Sequence, residues 1–202
     1  VARAKAERPG RVFGETCPQY LVLHDRHPAG LLAKCAPPVH GLEDNEALWR
    51  ALADGTIDCV GTDHIHQSRA RKLVEGDVWR TNAGVPGHET LLPLLLSAGR
   101  LPLPRVAAVT SANAARAFGL WPRKGAIAVG CDADLTLVDL GRRRVVRAAD
   151  FVTSADFTPY EGMELTGWPA LALLHGRVIM QDGRPVGPPA GQYLWRDKEC
   201  QT

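Results

Sequence analysis

The sequence predicts an α/β protein whose strands pair in parallel, followed by a small β-sheet module. Three observations predict it. Val12-Phe13 and the run Ile57, Cys59, Val60 are short apolar stretches that each end at a polar cluster. A shaped loop and an amphipathic helix lie between them, and past Pro122 the pattern turns from helical to β. The order strand, loop, helix, strand favours parallel pairing, because parallel neighbours need a crossover that a helix supplies.

Each element follows from its residues. VARAKAER at 1–8 reads as the tail of an amphipathic helix already under way, halted at Pro9-Gly10, and Val1 is not a methionine, so the chain reads as a piece of something longer. Val12-Phe13 opens a strand that ends near Glu15, and a second apolar run follows the polar cluster Glu15-Thr16-Cys17-Pro18. From His24 to Val39, Pro28, Gly30 and the adjacent Pro37 and Pro38 shape a long loop of a length that is functional or disordered. Glu43 to Ala53 is a helix with Ala47, Leu48, Ala51 and Leu52 on one face, Asp44 and Glu46 near its start and Gly55 past its end.

After the strand at Ile57–Val60 comes a polar loop, Gln67 to Gly87, then a helix over Glu89–Ala98, interrupted by Pro93, whose leucines 91, 92, 94, 95 and 96 are core. Pro104 to Gly119 is helical, with Gly119 as its stop and Ser111 and Asn113 as candidate internal caps. In the β region, residues 125–140 alternate apolar side chains at Ile127, Val129, Leu135 and Leu137, and residues 170–183 form a hairpin turning at His175-Gly176. Arg142-Arg143-Arg144 reads as a solvated turn between strands, and Pro185–Thr202 as a surface extension.

Composition narrows the function classes. The chain has 202 residues, of which 45% are hydrophobic and 23% charged, with 20 glycines and 15 prolines, as a soluble globular protein has. A net charge of +2 spread over interspersed residues speaks against nucleic-acid binding. No run approaches the roughly 18 apolar residues of a membrane helix, and residues 1–15 carry no signal-peptide core. Five cysteines, at 17, 35, 59, 131 and 200, form no C-x-x-C pair and leave an odd thiol, which fits a reducing compartment, the cytoplasm by default.

The chemistry-bearing stretch is IDCVGTDHIH at 57–66. Gly61, Thr62, Asp63, His64 and His66 place a carboxylate and two imidazoles where a strand ends, the position at which α/β folds put their chemistry. Asp63 is the leading candidate, with a helix N-cap as its bland alternative. His64 and His66 have an H-x-H spacing that can hold zinc at a strand end but is weak on its own. His24, His27, His40 and His88 lie in loops or at a helix start, where histidines are commonly solvated. Glu15 is either a second active-site carboxylate or an acceptor of loop amide hydrogens. Cys35 is either a nucleophile or a small buried thiol. Gly84-Val85-Pro86-Gly87 either brings backbone amides to a ligand or is a simple loop.

Six blocks then carry a resemblance: GETCPQYL at 14–21, KCAPPVHGLEDNEALWRAL at 34–52, DGTIDCVGTDH at 54–64, GVPGHETLLPLLL at 84–96, residues 113–140 and residues 157–183. In this order they resemble the C-terminal half of the cyclic amidohydrolases: dihydroorotase, dihydropyrimidinase (hydantoinase) and allantoinase. The resemblance implies the C-terminal part of a metal-dependent (β/α)8 (TIM) barrel at 1–121, a segment of a composite β-sandwich at 122–184 and a tail at 185–202. Glu15 would end barrel strand seven and Asp63 strand eight.

The resemblance further implies a zinc-dependent hydrolase, with one or two ions, that opens a cyclic amide or imide. Asp63 matches the family's T-D-H aspartate, a metal ligand that takes the proton of the attacking water. Zinc lowers the pKa of a bound water to about 7, and a carboxylate beside it can return that proton to the leaving nitrogen. The other expected ligands (an H-x-H pair, a carboxylated lysine and two single histidines) would lie upstream of Val1, so His64 and His66 are not that pair and these residues alone are too short to be the enzyme. Cys35, Ala36 and Pro37, with Gly84, Pro86 and Gly87, would shape the substrate pocket through backbone groups. The expected partners are a small cyclic substrate and further copies of the chain in a dimer or tetramer, with a non-catalytic assembly partner of the same fold as the rival reading. Ile65, His66 and Gln67 depart from a dihydroorotase-like T-D-H-A-P-H, Ala83 stands where hydantoinases have asparagine, and His40 where an arginine usually follows the two prolines. The ring specificity therefore stays open.

Overall fold

The computed structural model describes residues 1–195. Cys200, and the part of the expected tail beyond residue 195, lie outside the described residues. Helix α1 (Ala2–Glu7) opens the chain and stops before Pro9. It is tied inward by Lys5, whose Nζ donates to the Gly55 carbonyl at 2.9 Å and pairs with Asp58 at 2.6 Å.

The expected parallel pair is present and short. Strand β1 (Glu15–Thr16) pairs with β2 (Cys59–Val60) in parallel, Glu15 opposite Cys59 and Thr16 opposite Val60. The ladder thus starts at Glu15 rather than ending there, and Val12-Phe13 precedes it with Phe13 exposed. The second apolar run is helical: Pro18 sits at the first turn of helix α2 (Pro18–Val22), where its missing N–H costs nothing.

Helix α3 (Leu42–Asp54) is the crossover, ended by Gly55 in the left-handed conformation. Its buried face is Asn45, Trp49 and Leu52, with Leu48 and Ala51 half-buried, whereas the expected Ala47 is exposed. The buried face carries polar groups that bind main chain. Asn45 Nδ2 donates to the carbonyls of Tyr20 (2.6 Å) and Leu23 (2.9 Å), and Trp49 Nε1 to that of Leu21 (3.1 Å), fixing α3 on α2.

The polar loop after β2 contains one short helix, α4 (Arg69–Lys72), capped by the Ser68 hydroxyl. Helix α5 (Leu91–Ala98) includes Pro93 without interruption, because its third position has no intrahelical acceptor for an N–H. Helices α6 (Leu103–Ala107) and α7 (Asn113–Ala117) are joined by a π turn over Ala108–Ala112 into one continuous rod. Ser111 and Asn113 cap nothing there; Asn113 Nδ2 instead donates to the Asp58 carbonyl at 2.8 Å, beside β2.

The β region forms a four-stranded antiparallel sheet in the order β3 (Leu135–Val145), β4 (Glu164–Leu174), β5 (Arg177–Gln181), β6 (Arg184–Pro185). Its hairpin turns at His175-Gly176 with φ of 49° and 75°, the positive pair that a tight two-residue connection needs. Ile127 and Val129 do not join it. They are exposed and precede β3 in a segment gathered by Arg123 and Lys124 onto Asp132 and by Lys124 onto Asp134. The three arginines are not a turn between strands: they lie within β3, where the register slips between Asp139 and Arg143. There the Asp139 carboxylate accepts the amides of Gly141 and Arg142, bulging the strand.

Two apolar clusters meet at α5. Leu95 belongs with Leu21, Trp49, Leu52, Ile57, Val60, Val106 and Val109 around the parallel pair. Leu94, its neighbour in sequence, belongs with Leu23, Tyr160, Leu165 and Trp168 against the antiparallel sheet. Of the expected leucine stripe, Leu94 and Leu95 are core and Leu91, Leu92 and Leu96 are partly buried at its edge, so the helix serves both halves. No helix among the described residues is long and apolar enough to cross a membrane.

Candidate active site

Asp63 lies three residues beyond β2, exposed, with a left-handed φ of 46° that aspartate tolerates better than most residues. It caps no helix, which removes its bland reading, since the next one begins at Arg69 and is capped by Ser68. Its Oδ2 accepts Gln19 Nε2 at 3.2 Å. Gln19 is 1% exposed, held on the buried side of α2, and its own Oε1 has no partner among the described residues. The amide is therefore a fixed post on which one carboxylate oxygen rests, leaving Oδ1 available.

Two thiols lie beside this pair. Burial pushes Cys17 up to about 12, with the Asp63 and Glu15 carboxylates adding to the shift. Cys35 is also raised by burial, against the opposing pull of the Tyr20 hydroxyl and Lys72. Both stay neutral at pH 7, so the nucleophile reading of Cys35 lacks its thiolate. Tyr20 closes the same corner, its hydroxyl donating to the Pro37 carbonyl at 2.9 Å.

The histidines divide. His64 Nδ1 accepts the amides of Gly87 (3.1 Å) and His88 (3.4 Å), and its ring stacks on His88 with centroids 4.0 Å apart. Burial, then the neighbouring His88, lowers its pKa, so it is neutral at pH 7 with the proton on Nε2. His66 meets the Ser154 hydroxyl instead. The H-x-H spacing thus does not converge on one point. Glu15 accepts no loop amide among the described residues; its carboxylate rests over Gly61, 3.8 Å from Cys59 Sγ.

The two stretches expected to wall a pocket do come together. Gly84 N–H donates to the Lys34 carbonyl at 3.0 Å, and Ile65 N–H to that of Val85 at 3.0 Å. Gly84 has φ of 104°, and a Cβ there would lie 2.4 Å from Ile65, so only glycine allows this approach. Gly84, Val85, Pro86 and Gly87 are all buried, and Cys35 is buried while Ala36 and Pro37 are exposed. The amides of Gly84 and Gly87 are both engaged within the protein, so a ligand there would meet other atoms. A cavity of about 930 Å³ lies elsewhere, between α5 and the antiparallel sheet, lined by Leu92, Pro93, Arg144, Phe151 and Trp168.

Asp63 fits a metal as one ligand, an accessible carboxylate with a free oxygen. Among the described residues no group of three or more His, Cys, Asp or Glu could hold a metal ion, so a zinc site, which takes about four donors, is not complete within them. Gln19, Lys72 and Asn45 are the residues that sequence reasoning missed. The signal was faint: Gln19 and Asn45 are polar residues on the buried faces of their helices, and Lys72 is one of three cations in a four-residue helix.

A family model described as "Amidohydrolase family" matches residues 23–179. The chain is 37% identical over 195 residues to a D-phenylhydantoinase of Escherichia coli O1:K1 / APEC and 36% identical to that of strain SE11, in each case over 92% of this chain and 42% of the relative. Among solved structures it is similar to a D-hydantoinase, with a TM-score of 0.91 at 35% identity over 100% of this chain and 46% of that one. It is likewise similar to the L-hydantoinase (dihydropyrimidinase) of Arthrobacter aurescens, with a TM-score of 0.86 at 36% identity over 93% and 43%. The chain spans less than half the length of these relatives.

Proposed function

The chain belongs to the amidohydrolase family, with a portion of its (β/α)8 barrel and a small sheet, and from that premise we propose that it serves metal-dependent opening of a cyclic amide or imide ring. The observation that carries the reading is the exposed Asp63, three residues beyond β2, with Gln19 holding one of its oxygens. The hydantoinase and dihydropyrimidinase relatives favour hydantoins and dihydropyrimidines over dihydroorotate or allantoin as substrates.

Asp63 would hold zinc together with donors from outside these residues. Bound zinc supplies Lewis acidity and an ionised water at neutral pH. Asp63 accepts the proton of the attacking water and delivers it to the ring nitrogen as the new C–O bond forms and the C–N bond breaks. Gln19 keeps the carboxylate turned to that task. The 34–38 and 84–87 stretches flank the ring. In this reading residues 1–121 are the barrel portion, 122–184 the sandwich segment and 185–202 a tail, in a cytoplasmic oligomer.

The test uses the protein expressed from its whole reading frame. Ring opening of 5-phenylhydantoin and dihydrouracil is followed before chelation, after it, and after zinc is restored. Loss on chelation and recovery with zinc is the expected result. Ring opening that persists in the metal-free protein would overturn the proposal.

A further inference from the structure

One ammonium sits where the two wall stretches meet. Lys72, the last residue of α4, is fully buried. Its Nζ donates to the carbonyls of Lys34 (2.8 Å), Asn82 (3.1 Å) and Gly84 (2.8 Å), which uses all three of its protons. Phe157 covers it, with the ring centroid 5.7 Å away.

The three carbonyls belong to two stretches of chain, that of Lys34 to one and those of Asn82 and Gly84 to the other. Gln67 adds a parallel tie, its Nε2 donating to the carbonyls of Ala83 (3.2 Å) and Gly84 (3.1 Å). Lys34 reaches the other way, its Nζ donating to the carbonyls of Val78 and Thr81, both at 2.5 Å. Remove Lys72 and three carbonyls, that of Gly84 buried and those of Lys34 and Asn82 partly so, lose a donor at once. No neutral side chain carries three donors on one atom.

Stability alone does not account for such a group. Burial lowers Lys72 to about 8, which the nearby Cys35 opposes and Lys34 reinforces. The unfolded value is near 10.5, so this group favours folding most above that pH, and the contribution is lost as pH falls through about 8. At neutral pH the charged form is carried at a cost to folding.

We propose that Lys72 is a positioning residue, a buried ammonium that locks Lys34–Pro38 and Asn82–Gly87 into one rigid wall on which ring binding beside Asp63 depends. The inference rests on the reading of those stretches as pocket walls.

Two readouts on the whole-frame protein test it. The first is hydrogen exchange of the backbone amides; the second is the split between KM and kcat for ring opening. Lys72→Met keeps the volume and removes the donors. It is expected to speed exchange at 33–38 and 82–87 by at least tenfold, leaving β3 and β4 unchanged. KM is expected to rise at least tenfold while kcat falls less than threefold. Lys72→Arg, which keeps a cation and donors, is expected to recover at least a third of the lost binding, and it carries the test should the methionine variant fail to fold. A lowered melting temperature with both exchange and KM unchanged makes Lys72 a mere stabiliser and overturns the proposal. Faster exchange at the two stretches with unchanged KM overturns it too, because the wall then positions nothing. Failure of the proposed function shows differently, as a parent protein that opens no ring. The exchange arm alone then decides whether Lys72 locks the two stretches together.

Discussion

The two halves of the molecule are held by different means. The antiparallel sheet has two eleven-residue strands, β3 and β4, joined by a long main-chain ladder. The parallel pair has two residues per strand. Around it the backbone is fastened by side chains: Asn45 and Trp49 onto α2, Arg105 onto the carbonyls of Leu52 and Ile57, Asn113 onto Asp58, Lys72 and Gln67 onto the loop at 82–84. A ladder repeats the same bond, whereas a side-chain tie fixes one point of an irregular backbone. The half that carries Asp63 is built by the second method.

The sharpest way to break this comparison is through α5, where both halves share a helix. Leu95→Ala, in the cluster around the parallel pair, should cost about 2–5 kcal/mol of stability, and Leu94→Ala, facing the sheet, a similar amount. If the halves fold as one, both losses appear in a single denaturant transition; two separated transitions would show them to be independent.

A tie should cost less than a core leucine. Asn45→Ala leaves the Tyr20 and Leu23 carbonyls without their donor and should destabilise by about 1–3 kcal/mol in the same unfolding measurement. A change below the error of the fit would mean that α3 is held by packing alone. On the sheet side, the hydroxyl of the fully buried Tyr160 has no partner among the described residues, so Tyr160→Phe should be neutral or stabilising by up to about 1 kcal/mol. A clear loss would reveal a partner for that hydroxyl.

The smallest effect is in pH. Burial, with His24 at its edge, lowers His27 below its ordinary value of 6.5. Its neutral form is the folded one, so its contribution is complete above about 6.5 and is lost as pH falls through the lowered pKa. The melting temperature should drop slightly below that pH, and His27→Gln should flatten the drop.

This division also explains what could be read from the sequence. The strand, helix, strand order around Asp63, the capping glycine at 55 and the hairpin at His175-Gly176 were legible because each has a local signature. Asp63 itself was legible because it follows an apolar run. Gln19 and Lys72 were not, since the Asp63 carboxylate lies 44 residues from the one and the Lys34 carbonyl 38 from the other, and no local pattern encodes a distant acceptor. The alternation at Ile127 and Val129 misled for the same reason, as ion pairs to Asp132 and Asp134 gather that segment outside the sheet.

The central claim, that Asp63 moves the proton in ring opening, is tested most directly by Asp63→Asn in the whole-frame protein. Asparagine keeps the shape and a partner for Gln19 but has no basic oxygen. The account predicts a fall in kcat of at least a thousandfold for hydantoin hydrolysis, with the melting temperature little changed because the residue is exposed. Hydrolysis that survives the substitution unaltered would contradict it.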